Sequence, residues 1–269
     1  MQKLAEDDLV SVIMPTYNES CLLADSIRSV LAQTYSNIEL LITDDASSND
    51  EVREMLLQFQ REDSRVRLFF LETNYGPGLA RNISIQQAKG RFIAFCDSDD
   101  CWMPDKVEKQ VAFMKERDCC LSYTTYLQRN PEGRIMGIVR CPASLTFRQL
   151  KHDNKVGCST AMYDASKYGK FFMPTIRRRQ DWALFLSILQ KCGKAYGLQV
   201  PLTYYCLREG SVSRAKRLTL VHYNASVYQQ LLGYSKLKSY LYLFFIFMPT
   251  YLSKRAKIYF DSRKYRRQH

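Results

Sequence analysis

Histidine is scarce in this 269-residue sequence: His152, His222 and His269 lie far apart, and none neighbours a plausible cysteine partner. A zinc site of histidine and cysteine ligands is therefore not expected. The nine cysteines show no Cys-x-x-Cys spacing, and only Cys119 and Cys120 are adjacent. Reduced thiols in a cytosolic compartment are the simple expectation. Glycine-rich phosphate loops are missing too. No Gly-x-Gly-x-x-Gly follows the first apolar run, and no Gly-x-x-x-x-Gly-Lys-Ser/Thr occurs anywhere. That disfavours a dinucleotide dehydrogenase and a P-loop phosphotransferase. Membrane-length apolar runs are also lacking. Tyr240 to Met248 gives nine apolar residues before Pro249, where a bilayer span needs about 20. The first apolar run, Leu9 to Met14, is short and follows Glu6-Asp7-Asp8, so no signal peptide is expected.

Charge is present but unevenly placed. Residues 1–207 hold 26 basic and 25 acidic side chains, whereas residues 208–269 hold 13 basic and 2 acidic ones. The formal net charge of +12 thus belongs to the tail. A basic tail suits an anionic membrane surface or nucleic acid. Lys236 and Lys238 on one side of the apolar run, and Lys254, Arg255 and Lys257 on the other, favour an interfacial anchor. A helix buried in the core is the alternative. Composition and charge both change near residue 215, dividing the chain into a body, 1–214, and an amphipathic basic extension, 215–269.

Along the body, strand-like and helix-like segments alternate. Leu9 to Met14, Ile38 to Thr43, Val66 to Leu71 and Phe92 to Cys96 are buried-strand candidates. Between them Leu23, Ile27, Val30 and Leu31, then Val52, Met55, Leu56 and Phe59, recur at helical spacing. The alternation predicts an α/β fold with a mostly parallel sheet covered on both faces. Further on, Pro104 marks the expected start of a helix carrying Val107, Val111 and Met114. Cys119 to Tyr126 and Gly157 to Tyr163 read as strands, and Trp182, Phe185, Leu186 and Leu189 as a helical stripe.

Ligands of parallel sheets bind beyond the carboxyl ends of the strands. Past the first candidate strand come Pro15-Thr16-Tyr17-Asn18-Glu19, past the second Asp44 to Asp50, and past the fourth Asp97-Ser98-Asp99-Asp100. In extended geometry Asp97 and Asp99 share a face. Like charges that close need a cation or protons between them. Oxygen ligands suit Mg²⁺ or Mn²⁺, which could neutralise a departing diphosphate. A solvated acidic turn is the plainer alternative for an isolated Asp-x-Asp.

With these motifs in order, the sequence resembles the family 2 glycosyltransferases, inverting enzymes of GT-A fold. The resemblance runs from Val10 to about Arg214. It rests on Ser11 to Asn18, Asp44-Asp45, Asn74-Tyr75-Gly76-Pro77-Gly78-Leu79-Ala80-Arg81-Asn82, Asp97 to Asp100 and Gln180-Asp181-Trp182. Residues 157–163 and 176–181 resemble, more narrowly, bacterial enzymes of teichuronic acid, capsule or O-antigen assembly. The resemblance implies a Rossmann-like GT-A sheet with a helical basic appendage. It assigns Pro15, Tyr17 and Asp45 to a nucleotide pocket, with Asp44 beside them. Asn18, Glu19, Asn74, Gly76 and Ser98 extend the nucleotide-sugar site. Arg81 is implied as a donor contact, a helix-surface arginine being the alternative. Asp97 and Asp99 are implied as metal ligands, Asp99 the more direct. Asp100 is expected to cap the next helix or touch the ribose. Asp181 is implied as the catalytic base, which also suits a helix N-terminus. Arg208, Ser211, Ser213 and Arg214 match a loop that closes over the diphosphate.

The Gln-x-x-Arg-Trp pattern of processive synthases is absent, so transfer of one sugar is expected. The implied reaction moves a hexose (glucose, galactose or N-acetylhexosamine) from a UDP-sugar, with Mn²⁺ or Mg²⁺, to an undecaprenyl-diphosphate-linked saccharide. The implied place is the inner face of a bacterial cytoplasmic membrane, with no nucleic-acid partner. The rivals are a sugar nucleotidyltransferase and a non-catalytic protein whose basic tail binds membrane or nucleic acid.

Overall fold

A computed structural model describes residues 8–19, 21–207 and 217–268. The first hundred residues form β1 (Val10–Thr16), α1 (Leu23–Leu31), β2 (Ile38–Asp44), α2 (Asp50–Glu62), β3 (Val66–Phe70), α3 (Pro77–Gln87) and β4 (Phe92–Phe95). These strands are parallel and lie in the order β3-β2-β1-β4. Every residue of β1 and β2 is buried, which is why they read as mostly apolar runs. Of their polar residues, Ser11 and Glu39 pair, the Ser11 hydroxyl donating to Glu39 at 2.6 Å. Successive side chains still alternate. Val10, Val12 and Met14 enter the core under α1 and α2, while Ile13 joins the opposite core.

The sheet continues with β5 (Cys101–Trp102), then after α4 (Lys106–Glu116) with β6 (Leu121–Arg129), β7 (Ile135–Val139) and β8 (Ser144–Thr146). Next come α5 (Phe147–His152), a 3₁₀ turn (Cys158–Thr160), β9 (Met162–Asp164), α6 (Ala165–Tyr168), α7 (Gln180–Cys192) and β10 (Lys194–Cys206). From β4 the order runs β9-β6-β10-β5, with β7 on β6 and β8 on β10. β9 is antiparallel to both β4 and β6, and β10 is parallel to β6. The sheet therefore has a parallel half and a mixed half.

Two local expectations need correction. The helix expected from Pro104 starts at Lys106. The Pro104 carbonyl instead accepts the Thr34 N–H at 2.9 Å, and the Gln33 side chain takes the Val107 N–H at 2.9 Å. Gly157 to Tyr163 is not one strand. The Thr160 N–H and hydroxyl both return to the Gly157 carbonyl, closing a tight turn before β9.

The tail is helical: α8 (Arg217–Leu232), α9 (Lys236–Tyr242), a π turn (Leu243–Phe247) and α10 (Met248–Gln268). Pro249 has no N–H to continue an α ladder, and the preceding turn widens so that the Met248 N–H reaches the Leu243 carbonyl. Ala225, Val227, Tyr228, Leu243 and Phe247 are buried in the core around α7. The Tyr228 and Phe247 rings lie 5.6 and 5.7 Å from Trp182. Farther along, the buried Ser262 hydroxyl donates to the Ile138 carbonyl and accepts its N–H, both at 3.1 Å. Gly137 permits that approach, because a Cβ there would lie 2.4 Å from Ser262 Oγ. Among the described residues, no helix is long and apolar enough to cross a membrane.

Candidate active site

Three loops meet beyond β1, β2 and β4, where the strand order turns about β1. Pro15 is buried within β1, and Tyr17 stands half exposed at the mouth. Asn18 and Glu19 act on the loops themselves. Asn18 adopts a left-handed φ of 50°, its N–H donates to Ser47 Oγ at 2.8 Å, and its Oδ1 accepts the Ser48 N–H at 2.9 Å. Glu19 accepts the Leu22 N–H at 3.1 Å, steadying the entry to α1.

Asp44 and Asp45 part company. Asp44 receives both the N–H and the hydroxyl of Ser47 and so shapes its own loop, in which Ala46 has a φ of 63°. Asp45 accepts the N–H groups of Tyr75 and Gly76 at 2.8 and 2.7 Å, and the Asn74 amide donates to its carbonyl at 3.2 Å. Burial, reinforced by the charge of Asp44, raises the Asp45 carboxyl above its ordinary range despite those N–H donors. Gly76 has a φ of 91°, a conformation that side chains resist. Tyr75, without an assigned role from sequence, is largely exposed, and its N–H is held by Asp45. Its place inside the Asn74–Asn82 motif was the available signal.

At the end of β4, Asp97, Asp99 and Asp100 separate by environment. Asp97 is partly exposed, and Arg81 Nη2 donates to its Oδ1. Asp99 is pushed up to about 6, by burial first and by the charge of Asp97 second. Asp100 neither caps a helix nor faces the cleft. It is buried, takes the Ser159 hydroxyl and accepts the Cys206 N–H at 3.0 Å, tying the loop to β10. Ser98 is buried as well, its carbonyl accepting the Ser26 hydroxyl at 2.9 Å. Ser159, within the 157–163 stretch, ties the site together. Its hydroxyl serves Asp97 N–H and Asp100, and its carbonyl accepts the Trp102 indole N–H at 2.9 Å.

Arg81 is not on a helix surface. It is buried at the start of α3, and its Nη1 also donates to the Pro77 carbonyl at 3.4 Å. Burial opposes its charge, but Asp97 and more distantly Asp181 outweigh it and hold the guanidinium firmly protonated. Asp181, in the first turn of α7, lies within electrostatic reach of the Arg81 guanidinium that Asp97 binds. The starts of α3 and α7 are packed together, since a Cβ on Gly78 would lie 2.9 Å from Gln180 Cγ. Arg179, just before α7, has a left-handed φ of 68°. With Asn18 and Ala46, three of the four left-handed non-glycine residues described border this cleft. Such backbone persists where the surroundings enforce it. Arg208, Ser211, Ser213 and Arg214 lie outside the described residues.

Among the described residues, no group of three or more histidine, cysteine or carboxylate side chains forms a protein cage for a metal. Asp97 and Asp99 lie in the turn after β4, where the Asp100 N–H returns to the Asp97 carbonyl at 3.0 Å, and both stay partly exposed while Asp100 is buried. That donor set fits Mg²⁺ or Mn²⁺, which take one or two carboxylates and draw other ligands from phosphate and water.

The glycosyl transferase family 2 model matches residues 11–169, from within β1 to just past α6. The chain is a family 2 glycosyltransferase. It is 41% identical over 209 residues to TuaG of Bacillus subtilis (strain 168), named for a glycosyltransferase of teichuronic acid biosynthesis; the match covers 77% of this chain and 82% of TuaG. It is 40% identical over 185 residues to the Escherichia coli protein WfgD, a UDP-Glc:alpha-D-GlcNAc-diphosphoundecaprenol beta-1,3-glucosyltransferase, covering 69% of this chain and 71% of WfgD. The crystal structure of S. aureus TarS 1-349 shares the fold, with a TM-score of 0.66 at 19% identity over 88% of this chain and 72% of that one. Family membership removes the sugar nucleotidyltransferase reading. The family match ends ahead of this glycosyltransferase's Asp181 and of its helical tail.

Proposed function

We propose that this enzyme transfers one hexose, with inversion, from a UDP-sugar to a hydroxyl of a polyprenyl-diphosphate-linked saccharide in bacterial surface-polysaccharide assembly. The observation that carries the reading is the Arg81–Asp97 ion pair at the switch point, with Asp99 two residues on and the start of α7, which bears Asp181, packed against the start of α3. The sequence similarity to WfgD supports the donor and acceptor classes.

In this reading Tyr17 lies against the nucleobase, and Asp45 and the Asn74–Gly76 loop border it. Asp97 and Asp99 would hold Mn²⁺ or Mg²⁺, which would neutralise charge on the departing diphosphate. Asp181 takes the proton of the acceptor hydroxyl. That oxygen attacks the anomeric carbon opposite the diphosphate, the bond from the carbon to the phosphate oxygen breaks, and UDP leaves with the electron pair. Arg81, held by Asp97, adds a fixed positive charge near the departing group.

The tail supplies an anionic-membrane surface in the same reading. Leu237, Leu241, Phe244 and Phe245 follow helical spacing and stand 71%, 48%, 57% and 73% exposed, while Leu243 and Phe247 on the other face are buried. Lys236, Lys238, Arg255 and Lys257 flank this ridge. Lys254, counted with them from sequence, turns inward instead.

Calorimetric titration with nucleoside diphosphates, with and without Mn²⁺, tests the donor half. Metal-dependent UDP binding lost in Asp99→Ala supports it, and failure of the folded protein to bind any nucleotide overturns it. Turnover with a panel of UDP-Glc, UDP-Gal and UDP-GlcNAc then identifies the sugar.

A further inference from the structure

The inward turn of Lys254 is unusual for a lysine in so basic a helix. Its Nζ lies 2.8 and 2.7 Å from the two oxygens of Asp153, a residue with almost no exposure, and donates to the Asn154 carbonyl at 2.6 Å. Burial alone would push the lysine down and the carboxyl up, and it moves both that way. A buried pair of this kind is poor evidence for stability, because both charges lose their water. What it does is fix geometry: one ammonium grips a side chain and the next residue's backbone.

The gripped segment leads to the catalytic cluster. Asn154 Oδ1 accepts the Val156 N–H at 3.2 Å. That contact fixes the amide's orientation and leaves Nδ2 to donate to Asp181 Oδ2, at 3.4 Å. The same stretch is laced from two other helices. The Trp182 indole donates to the Leu150 carbonyl at 2.9 Å, and the Tyr228 hydroxyl to the Lys151 carbonyl at 3.0 Å. Donors from α7, α8 and α10 thus hold residues 150–154 against the start of α7.

We infer that Lys254, through Asp153 and Asn154, is a positioning residue for Asp181, so that the helical tail completes the surroundings of the base. The inference rests on the reading of Asp181 as base. A carboxylate must be held within a fraction of an ångström to meet an acceptor hydroxyl, and the groups supporting it govern kcat more than donor affinity.

The test uses the full chain, UDP release with the donor selected by the panel, and a detergent-dispersed polyprenyl diphosphate N-acetylglucosamine acceptor, so that membrane binding does not enter. Asn154→Ala leaves the buried pair intact, and kcat should fall about 10-fold with donor KM changed less than about 2-fold. Lys254→Met should show the same split, and Lys254→Arg should restore most of the loss. Where Lys254→Met proves too unstable, Lys254→Met/Asp153→Leu replaces the pair with apolar groups of similar size and serves in its place. Combined with Asn154→Ala, either should lose little more than one change alone, since the residues act in series. Wild-type kcat in Asn154→Ala, or losses that simply multiply, would overturn the inference. Asp181→Asn separates the levels. If it turns over normally, the base reading fails; if it is inactive while Asn154→Ala is normal, only the positioning role fails.

Discussion

The cleft has two sides, built by different means. The side proposed to bind the donor comes from short loops that follow consecutive strands, and its residues lie within 15–18, 44–48, 74–81 and 97–99. The side proposed to hold the base, Asp181, is assembled from distant pieces: residues 150–154, the start of α7, and two tail helices that reach Lys151, Asp153 and Asn154. The first side depends on backbone conformation at Asn18, Ala46 and Gly76. The second depends on side chains crossing about a hundred positions of sequence. Local loops can therefore carry a motif, while the base side has to be held by the completed fold.

The comparison yields predictions in descending size. Asp181→Asn should lower kcat by about 10³-fold, within the span of general-base losses, and leave UDP affinity within about 2-fold; weakened UDP binding would mean that the two sides are not separable. Removing divalent metal with a chelator, or Asp99→Ala, should weaken UDP binding by about 100-fold, equivalent to a few kcal/mol of lost charge neutralisation. Calorimetry checks it, and metal-independent affinity would remove Asp99 as a ligand. Gly137→Ala should lower stability by about 1–3 kcal/mol through the clash with Ser262, read as a lower melting temperature and earlier proteolysis of the tail. Phe244→Ser/Phe245→Ser should reduce partition to phosphatidylglycerol vesicles by about 10-fold, as roughly 1.4 kcal/mol of lost apolar contact implies. Turnover with the detergent-dispersed acceptor should then be unchanged, because neither ring supports the base.

The sequence makes the donor side readable for physical reasons. Strands buried on both faces announce themselves as apolar runs, and the polar residues just past them stand at the sheet's ligand edge. Asp97 and Asp99 were legible this way, as were β1 to β4. The division of labour among neighbours was not: Asp44 and Asp100 have the same chemistry as Asp45 and Asp99, yet serve Ser47, and Ser159 with Cys206. Only the path of the chain decides that. β10 escaped notice because Gly197 and Pro201 interrupt it, and its register with β6 shifts on both sides of Pro201. Lys254 was misplaced because charge pattern predicts solvent for a lysine between basic neighbours, and a buried carboxylate a hundred residues away leaves no local trace.

The joint between α10 and β7 has a consequence for how the protein behaves in concentrated solution. β7 is the apolar stretch Ile135-Met136-Gly137-Ile138-Val139, paired on one side with β6. Ser262 occupies both the N–H and the carbonyl of Ile138 on its other side, and the helix lies over the strand. An unpaired strand of this composition is a template for edge-to-edge association. A chain shortened ahead of α10 would bare that edge, and its first symptom would be self-association and sedimentation with itself. Pelleting of such a fragment alongside vesicles would then report aggregation, so the point variants of the apolar ridge are the cleaner probe of lipid binding.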